Sequence, residues 1–267
     1  MTIHEDHPRR ESLLSRQIIV DAQNNGLLAD SALIAHGRGE AFDYLLGERT
    51  IPSAERAAIE SVNRLATAHH PVISLNGNST VLAGRDAVKL AALIGCKIEI
   101  NIFYRTESRM SLLSQALDLI KIEAASESPV EGIPPEVWSQ QVAKVEILGK
   151  NPDTQIPGLE GPRAKCCSGG ILAADVVLVP LEDGDRCEAL IEMGKQVLVV
   201  DLNPLSRTAR TATVTIVDNV SRAFEGMVRN AAGQPSAPDP MWDNDAILID
   251  AISTIGKAAA RSFSQEN

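Results

Sequence analysis

The chain has 267 residues, of which 44% are hydrophobic, 22% charged and only 3% aromatic, a composition that fits one large or two small globular domains with an aliphatic core. With 25 Lys+Arg against 35 Asp+Glu the formal net charge is -10, which excludes the general basic surface that a nucleic-acid backbone or an anionic membrane requires. An anionic ligand must then be met by a few placed arginines. Residues 1–70 read as helical. Glu11 to Asn25 carries Leu13, Leu14, Ile18, Ile19 and Ala22 at helical spacing, with Gly26 as a stop. Asp30 is placed to cap a second helix that ends at Gly47, and Ser53 to cap a third with Ala57, Ala58, Val62 and Leu65 on its buried face.

Beyond His70 the pattern changes to short β-branched runs: VISL (72–75), KIEINIF (97–103), VEIL (145–148), DVVLVP (175–180), QVLVVDL (196–202) and TVTIV (213–217). Amphipathic segments separate most of them, at Thr80–Ile94, Ser108–Glu123, Arg186–Met193 and Val220–Ala232. Strands alternating with helices imply right-handed crossovers and a mainly parallel, Rossmann-like α/β sheet. The continuous apolar runs VVLVP and QVLVV suit strands covered on both faces. Ser126 to Pro135 reads as a surface excursion, GQPSAPDP (233–240) as a Pro-rich break, and the tail from Trp242 as a last helix. The expected organisation is one domain: a helical segment (1–70) on a core (71–232), followed by the break and terminal helix (233–267).

The polar chemistry is confined to loops that follow predicted strands. They are Asn76-Gly77-Asn78, Tyr104-Arg105-Thr106, Gly149-Lys150-Asn151-Pro152, Glu182-Asp183-Gly184-Asp185-Arg186 and Asn203-Pro204-Leu205-Ser206-Arg207. In an open parallel sheet such loops gather at the carboxyl edge, where ligands bind. One Asn-Gly loop is ordinarily a turn; five such loops in the same position mark a site. Asp183 and Asp185 read either as caps of the next helix or as groups that hold Mg²⁺ or ribose hydroxyls beside a phosphate. Asp201, at a strand end, has the position of a ribose-binding carboxylate.

Other chemistries find little support. No Gly-Lys pair is followed by Ser or Thr, so there is no P-loop. Gly37-Arg38-Gly39 begins a dinucleotide fingerprint, but Phe42 replaces its third glycine. Arg38 and Arg16 read as solvated helix residues or as guanidinium groups aimed at an anion. His36 reads equally as a polar contact or a core residue. Cys96, Cys166, Cys167 and Cys187 contain no C-x-x-C and read as reduced thiols of a cytoplasmic protein. His69-His70 lacks a third ligand at metal spacing. No apolar run reaches the roughly 20 residues of a membrane span, and the opening MTIHEDHPRRESLLSR has no apolar stretch of the secretory type.

Seven blocks together resemble the archaeal-type phosphopantothenate synthetases, the 4-phosphopantoate–β-alanine ligases of coenzyme A biosynthesis. They are HPR (7–9), AHGRGEAFDYLLGERT (35–50), SLNGN (74–78), EINIFYRTE (99–107), GKNPDTQIPGLE (149–160), ADVVLVPLEDGDR (174–186) and DLNPLSRTAR (201–210). The blocks stand in matching order over residues 5–230. The 126–143 segment, Cys166-Cys167-Ser168-Gly169 and the tail after Gly233 depart from the pattern. The resemblance implies a homodimeric ATP-dependent ligase that releases AMP and diphosphate through a phosphopantoyl adenylate. It matches Arg16 and Arg38 to positions that contact ATP. Asp183, Gly184, Asp185 and Arg186, with Asp201, Leu202 and Asn203, fall in the nucleotide site. Arg38 and Arg186 are expected to stabilise developing charge, and Mg²⁺ to accompany ATP near Asp183 and Asp185. For 4-phosphopantoate, twice anionic, the expected ligands are Asn76, Asn78, Asn101, Arg105 and Arg207. The rival readings are an NAD(P)-dependent oxidoreductase on the same sheet and a non-catalytic ATP sensor.

Overall fold

Alternation along the strands decides how the sheet is covered. In a computed structural model, which describes residues 3–127, 133–181 and 183–264, strands β1 (Pro71–Leu75), β2 (Lys97–Ile100), β3 (Ile147–Leu148), β6 (Val176–Pro180), β7 (Gln196–Val200) and β8 (Val214–Ile216) form one sheet. All pairings are parallel and the order is β3-β2-β1-β6-β7-β8. A small antiparallel hairpin, β4 (Thr154–Gln155) and β5 (Lys165–Cys166), lies in the crossover from β3 to β6. With the hairpin set aside, the order is that of a doubly wound nucleotide-binding sheet, which reverses direction between β1 and β6.

Successive side chains point to opposite faces. Ile73, Leu75, Ile98, Ile100, Leu178, Leu198 and Val200 join the larger core. Val72, Val177, Val179, Val197 and Val199 join the second. The larger core is closed by α3 (Pro52–Thr67), α4 (Gly77–Ile94), α5 (Glu107–Ser126), α6 (Pro135–Lys144), α9 (Val220–Ala232) and α10 (Asn244–Ser264). The second is closed by α7 (Gly184–Glu192) and a kinked turn at Ser168–Leu172. Two helices precede the sheet, α1 (Arg10–Asn24) and α2 (Ser31–Leu46), and a short α8 (Arg207–Thr211) follows β7. As expected, β6 and β7 are buried on both faces.

Several local expectations change. Ser53 lies inside α3, buried and with Oγ lacking a partner among the described residues, because Pro52 starts that helix one residue earlier. Asp30 precedes α2 without capping it; its backbone is already helical and its carboxylate accepts from Gln23. Gly47 does end α2, in the left-handed conformation. The segment after Ser126 is more than an excursion. Residues 128–132 lie outside the described residues, but Trp138 of α6 is fully buried and donates from Nε1 to the Ala124 carbonyl at 2.9 Å.

Polar residues on the thinly covered face are buried around Arg186. Its guanidinium, fully buried, donates to Ser74 Oγ at 2.9 Å. Glu99 of β2 accepts from the backbone N–H groups of Cys167 (2.9 Å) and Ile171 (2.7 Å). Burial pushes the Glu99 carboxyl upward; the two N–H bonds and the charges of Arg186 and Arg105 oppose that shift without cancelling it. A Cβ on Gly170 would lie 2.0 Å from Glu99 Oε2, so only glycine lets the turn close over this carboxylate.

Candidate functional site

A cleft of about 570 Å³ runs along the carboxyl edge of the sheet, roofed by α2 and floored by the loops after β1, β2, β6, β7 and β8. Its centre is the point where strand order reverses. There Asn76 caps α4, with Oδ1 accepting from Ser79 N at 2.9 Å. Nδ2 of the same residue donates to the carbonyls of Pro180 (3.2 Å) and Leu181 (3.0 Å). Both ends of the amide are therefore spent on joining β1 to β6. Leu181 has a φ of 56°, costly for a branched residue by about 1–3 kcal/mol. Its N–H, bonded to Val200 O at 3.0 Å, and its carbonyl, bonded to Asn76, hold it there.

Of the anticipated residues, Arg38, Asn76, Asn78, Asp183, Gly184, Asp201, Leu202, Asn203 and Arg207 line the cleft. Asn78 donates to Ala32 O at 3.0 Å and so ties the start of α2 to α4. Asp183 caps α7 through Arg186 N at 3.0 Å and pairs with Arg163 Nη1 at 3.0 Å. Gly184 permits the close approach of Arg207, whose Nε would lie 2.2 Å from an added Cβ. Asp201 accepts from Asn203 N at 2.9 Å and from Ser206 Oγ at 2.5 Å. Burial raises its carboxyl above the usual range despite these two bonds and the nearby charge of Arg38. His36 also lines the cleft, half-buried, with Nε2 lacking a hydrogen-bond partner among the described residues. Burial lowers its pKa and favours the neutral ring.

Five anticipated residues lie elsewhere. Arg186, the third residue of α7, is fully buried beneath the sheet edge, donates to Ser74 Oγ and is not among the residues that line the cleft. Arg16, on α1, is paired with Glu40 at 2.5 Å beside the rim. Asp185 faces solvent, paired with Arg207. Asn101 is fully buried and gives its amide to the Arg163 and Lys165 carbonyls at 3.2 and 3.0 Å. Arg105 donates to the Gly149 and Lys150 carbonyls and lines a shallower hollow next to the cleft. Gly37-Arg38-Gly39 lies within α2 and not on a strand-to-helix turn, so it cannot wrap a pyrophosphate. Among the described residues no three carboxylate, imidazole or thiol groups converge as for a metal ion. Asp183 and Asp185 are held by arginines. These residues do not build a resident Mg²⁺ site.

Two cleft arginines escaped the sequence reading. Arg163 comes from the turn before β5, with Nε 3.4 Å from Asn101 Oδ1. Arg109 comes from the first turn of α5. Neither belongs to a motif. Arg163 reaches the cleft only because the hairpin folds back under the β2 edge.

A reversing parallel sheet with an arginine-lined cleft at its carboxyl edge, and helices α4, α7 and α9 starting there, defines an α/β enzyme built to hold anionic small molecules. Residues 53–255 match the family described as phosphopantothenate/pantothenate synthetase. Over 231 residues the chain is 49% identical to the 4-phosphopantoate–β-alanine ligase of Thermococcus kodakarensis, covering 86% of this chain and 80% of that protein. It is 44% identical to the ligase of the same name from Methanosarcina mazei over 260 residues, covering 95% and 94%. The chain belongs to the phosphopantothenate/pantothenate synthetase family.

Proposed function

We infer that this enzyme is the ligase that condenses 4-phosphopantoate with β-alanine to 4′-phosphopantothenate in coenzyme A biosynthesis, at the expense of ATP. In this reading the carboxylate of 4-phosphopantoate attacks the α-phosphorus of ATP in line; the bond to diphosphate breaks and a phosphopantoyl adenylate forms. The amine of β-alanine then attacks the acyl carbon, AMP leaves, and the ammonium proton passes to water. No protein nucleophile is needed, which suits a cleft rich in Arg and Asn.

The observation that carries the reading is the arrangement of the cleft around the strand-order reversal. We place the ribose against Asp201, Leu202 and Asn203 at the end of β7, with the phosphates at the start of α7. There the N–H groups of the first turn and the guanidinium groups of Arg38, Arg163 and Arg207 lower the cost of concentrated negative charge. Mg²⁺ enters as the counter-ion of the nucleotide. The 4-phosphopantoate lies toward β1 and β2, beside Asn78, with Asn101 and Arg105 acting through the Arg163 turn and the Gly149 loop that they brace. Arg16 sets the position of α2 through Glu40.

The test is ATP–pyrophosphate exchange that depends on 4-phosphopantoate, followed by AMP release when β-alanine is added. Tight ATP binding without exchange would instead make the chain a nucleotide sensor, and NADH binding without ATP binding would restore an oxidoreductase. We also propose a cytoplasmic homodimer. Four free thiols suit a reducing compartment. Exposed Tyr44 and Leu45 on α2 and Ile249 and Ile252 on the adjoining α10 offer an apolar contact surface. Light scattering that gives the monomer mass would remove the dimer.

A further inference from the structure

The cleft and the neighbouring hollow meet at a waist formed by Leu28, Ala29, Ser31, Phe103, Tyr104 and Arg109. Arg109 is the cation at that waist. It differs from two other arginines of the cleft: Arg163 and Arg207 are paired with Asp183 and Asp185, whereas Arg109 makes no ion pair with any described residue. Its Nη1 donates to the Tyr104 carbonyl, and its Nε is buried with no hydrogen-bond partner among the described residues. A buried N–H of a charged group left without a partner is costly. Thr106 caps α5 through Arg109 N at 3.2 Å, so the backbone that carries this side chain is fixed at the mouth of the cleft.

We propose that Arg109 recognises the carboxylate of the amino-acid substrate and thereby sets specificity for β-alanine; the proposal rests on the ligase reading above. The second substrate must aim its amine inward, at the acyl carbon near the strand-order reversal. Its carboxylate therefore trails toward the opening, where the waist stands. One guanidinium with one Nη already used neutralises one monoanionic carboxylate. A phosphate dianion needs more donors than one such guanidinium provides. The exposed edge-to-face pair of Phe103 and Tyr104, with ring centroids 5.0 Å apart, walls the passage that a short aliphatic chain would follow.

The test compares wild type with Arg109→Gln and Arg109→Lys, using β-alanine and propylamine, an amine of the same chain length without the carboxylate. We expect ATP–pyrophosphate exchange with 4-phosphopantoate to stay within about twofold of wild type in both variants. In Arg109→Gln, kcat/KM for β-alanine falls about 10- to 100-fold, the range of one hydrogen bond to a charged group, while propylamine turnover is unchanged and the preference for β-alanine collapses. Arg109→Lys recovers part of it. A rise in the KM for 4-phosphopantoate during exchange would overturn the assignment in favour of phosphate binding. An unchanged β-alanine preference in a variant with normal exchange would overturn it outright. If Arg109→Gln unfolds, Arg109→Lys decides by the same ratio. Absence of exchange in wild type would sink the ligase reading itself, an outcome distinct from failure of this proposal.

Discussion

The two halves of the cleft handle charge differently. On the β6–β7 side the polar groups bond to one another: Asp183 to Arg163, Asp185 to Arg207, Asp201 to Ser206 and Asn203. On the α2–α5 side Arg38 and Arg109 line the cavity with no carboxylate partner among the described residues. The first half is pre-organised, its carboxylates orienting the arginines that we propose a phosphate meets. The second half keeps its positive charge available, and in the proposed reading a ligand supplies the partners. In a chain of net charge -10, Arg38 and Arg109 are cleft arginines without an ion pair to any described residue.

Four changes would break or sharpen this contrast. The largest effect is expected from Arg186→Met, beneath the pre-organised half. It removes a buried guanidinium, strips Ser74 of its partner and leaves Glu99 without the adjacent charge, at a cost of about 3–5 kcal/mol. Urea unfolding measures it, and a loss below about 1 kcal/mol would mean that Arg186 is not integral to the fold. Next comes Arg38→Ala, which should leave the urea midpoint near wild type yet lower kcat/KM for ATP in the exchange assay by about 10- to 100-fold. A comparable loss from Asp185→Ala would erase the distinction between the halves.

A smaller effect attaches to Glu40, which receives Arg16, Ser12 and Arg9 on one oxygen. Burial pushes its carboxyl up, but these bonds outweigh burial and hold it below the ordinary range. A lowered folded pKa gives stability that is present above the unfolded value and is lost as pH falls through the folded one. Glu40→Gln should therefore lower Tm at neutral pH, with the gap to wild type closing on acidification below about pH 4. A gap that persists at low pH would assign the effect to packing. The smallest change is Asp185→Ala, an exposed pair with Arg207. Thermal melting should not detect it, and exchange should move less than threefold.

Much of the sheet was readable because β-branched runs bounded by helical periodicity leave few alternatives. All six predicted strands occur, and all but β1 are shorter than their apolar runs; KIEINIF and QVLVVDL continue beyond the last ladder bond toward the cleft. The missing helices α6 and α8 were less legible: one is short, and the other follows a stretch with no apolar period. The roles of Asn76 and Asn101 were not readable either. An amide after a strand can face a ligand or brace a neighbouring strand, and which it does depends on carbonyls more than 60 residues away in sequence, such as those of Arg163 and Pro180.

By itself, the sequence determined the α/β class, the placement of polar loops after strands, the family and the need for a few placed arginines, because each depends on local periodicity or on order along the chain. Only the tertiary structure decided which arginines line the cleft. Arg186 is three residues past a helix cap and is directed under the sheet, whereas Arg163 and Arg109 come from a crossover hairpin and a helix start to reach the cleft. The direction of a side chain depends on which strands become neighbours. The order β3-β2-β1-β6-β7-β8 is a property of packing between distant segments, and no local pattern encodes it.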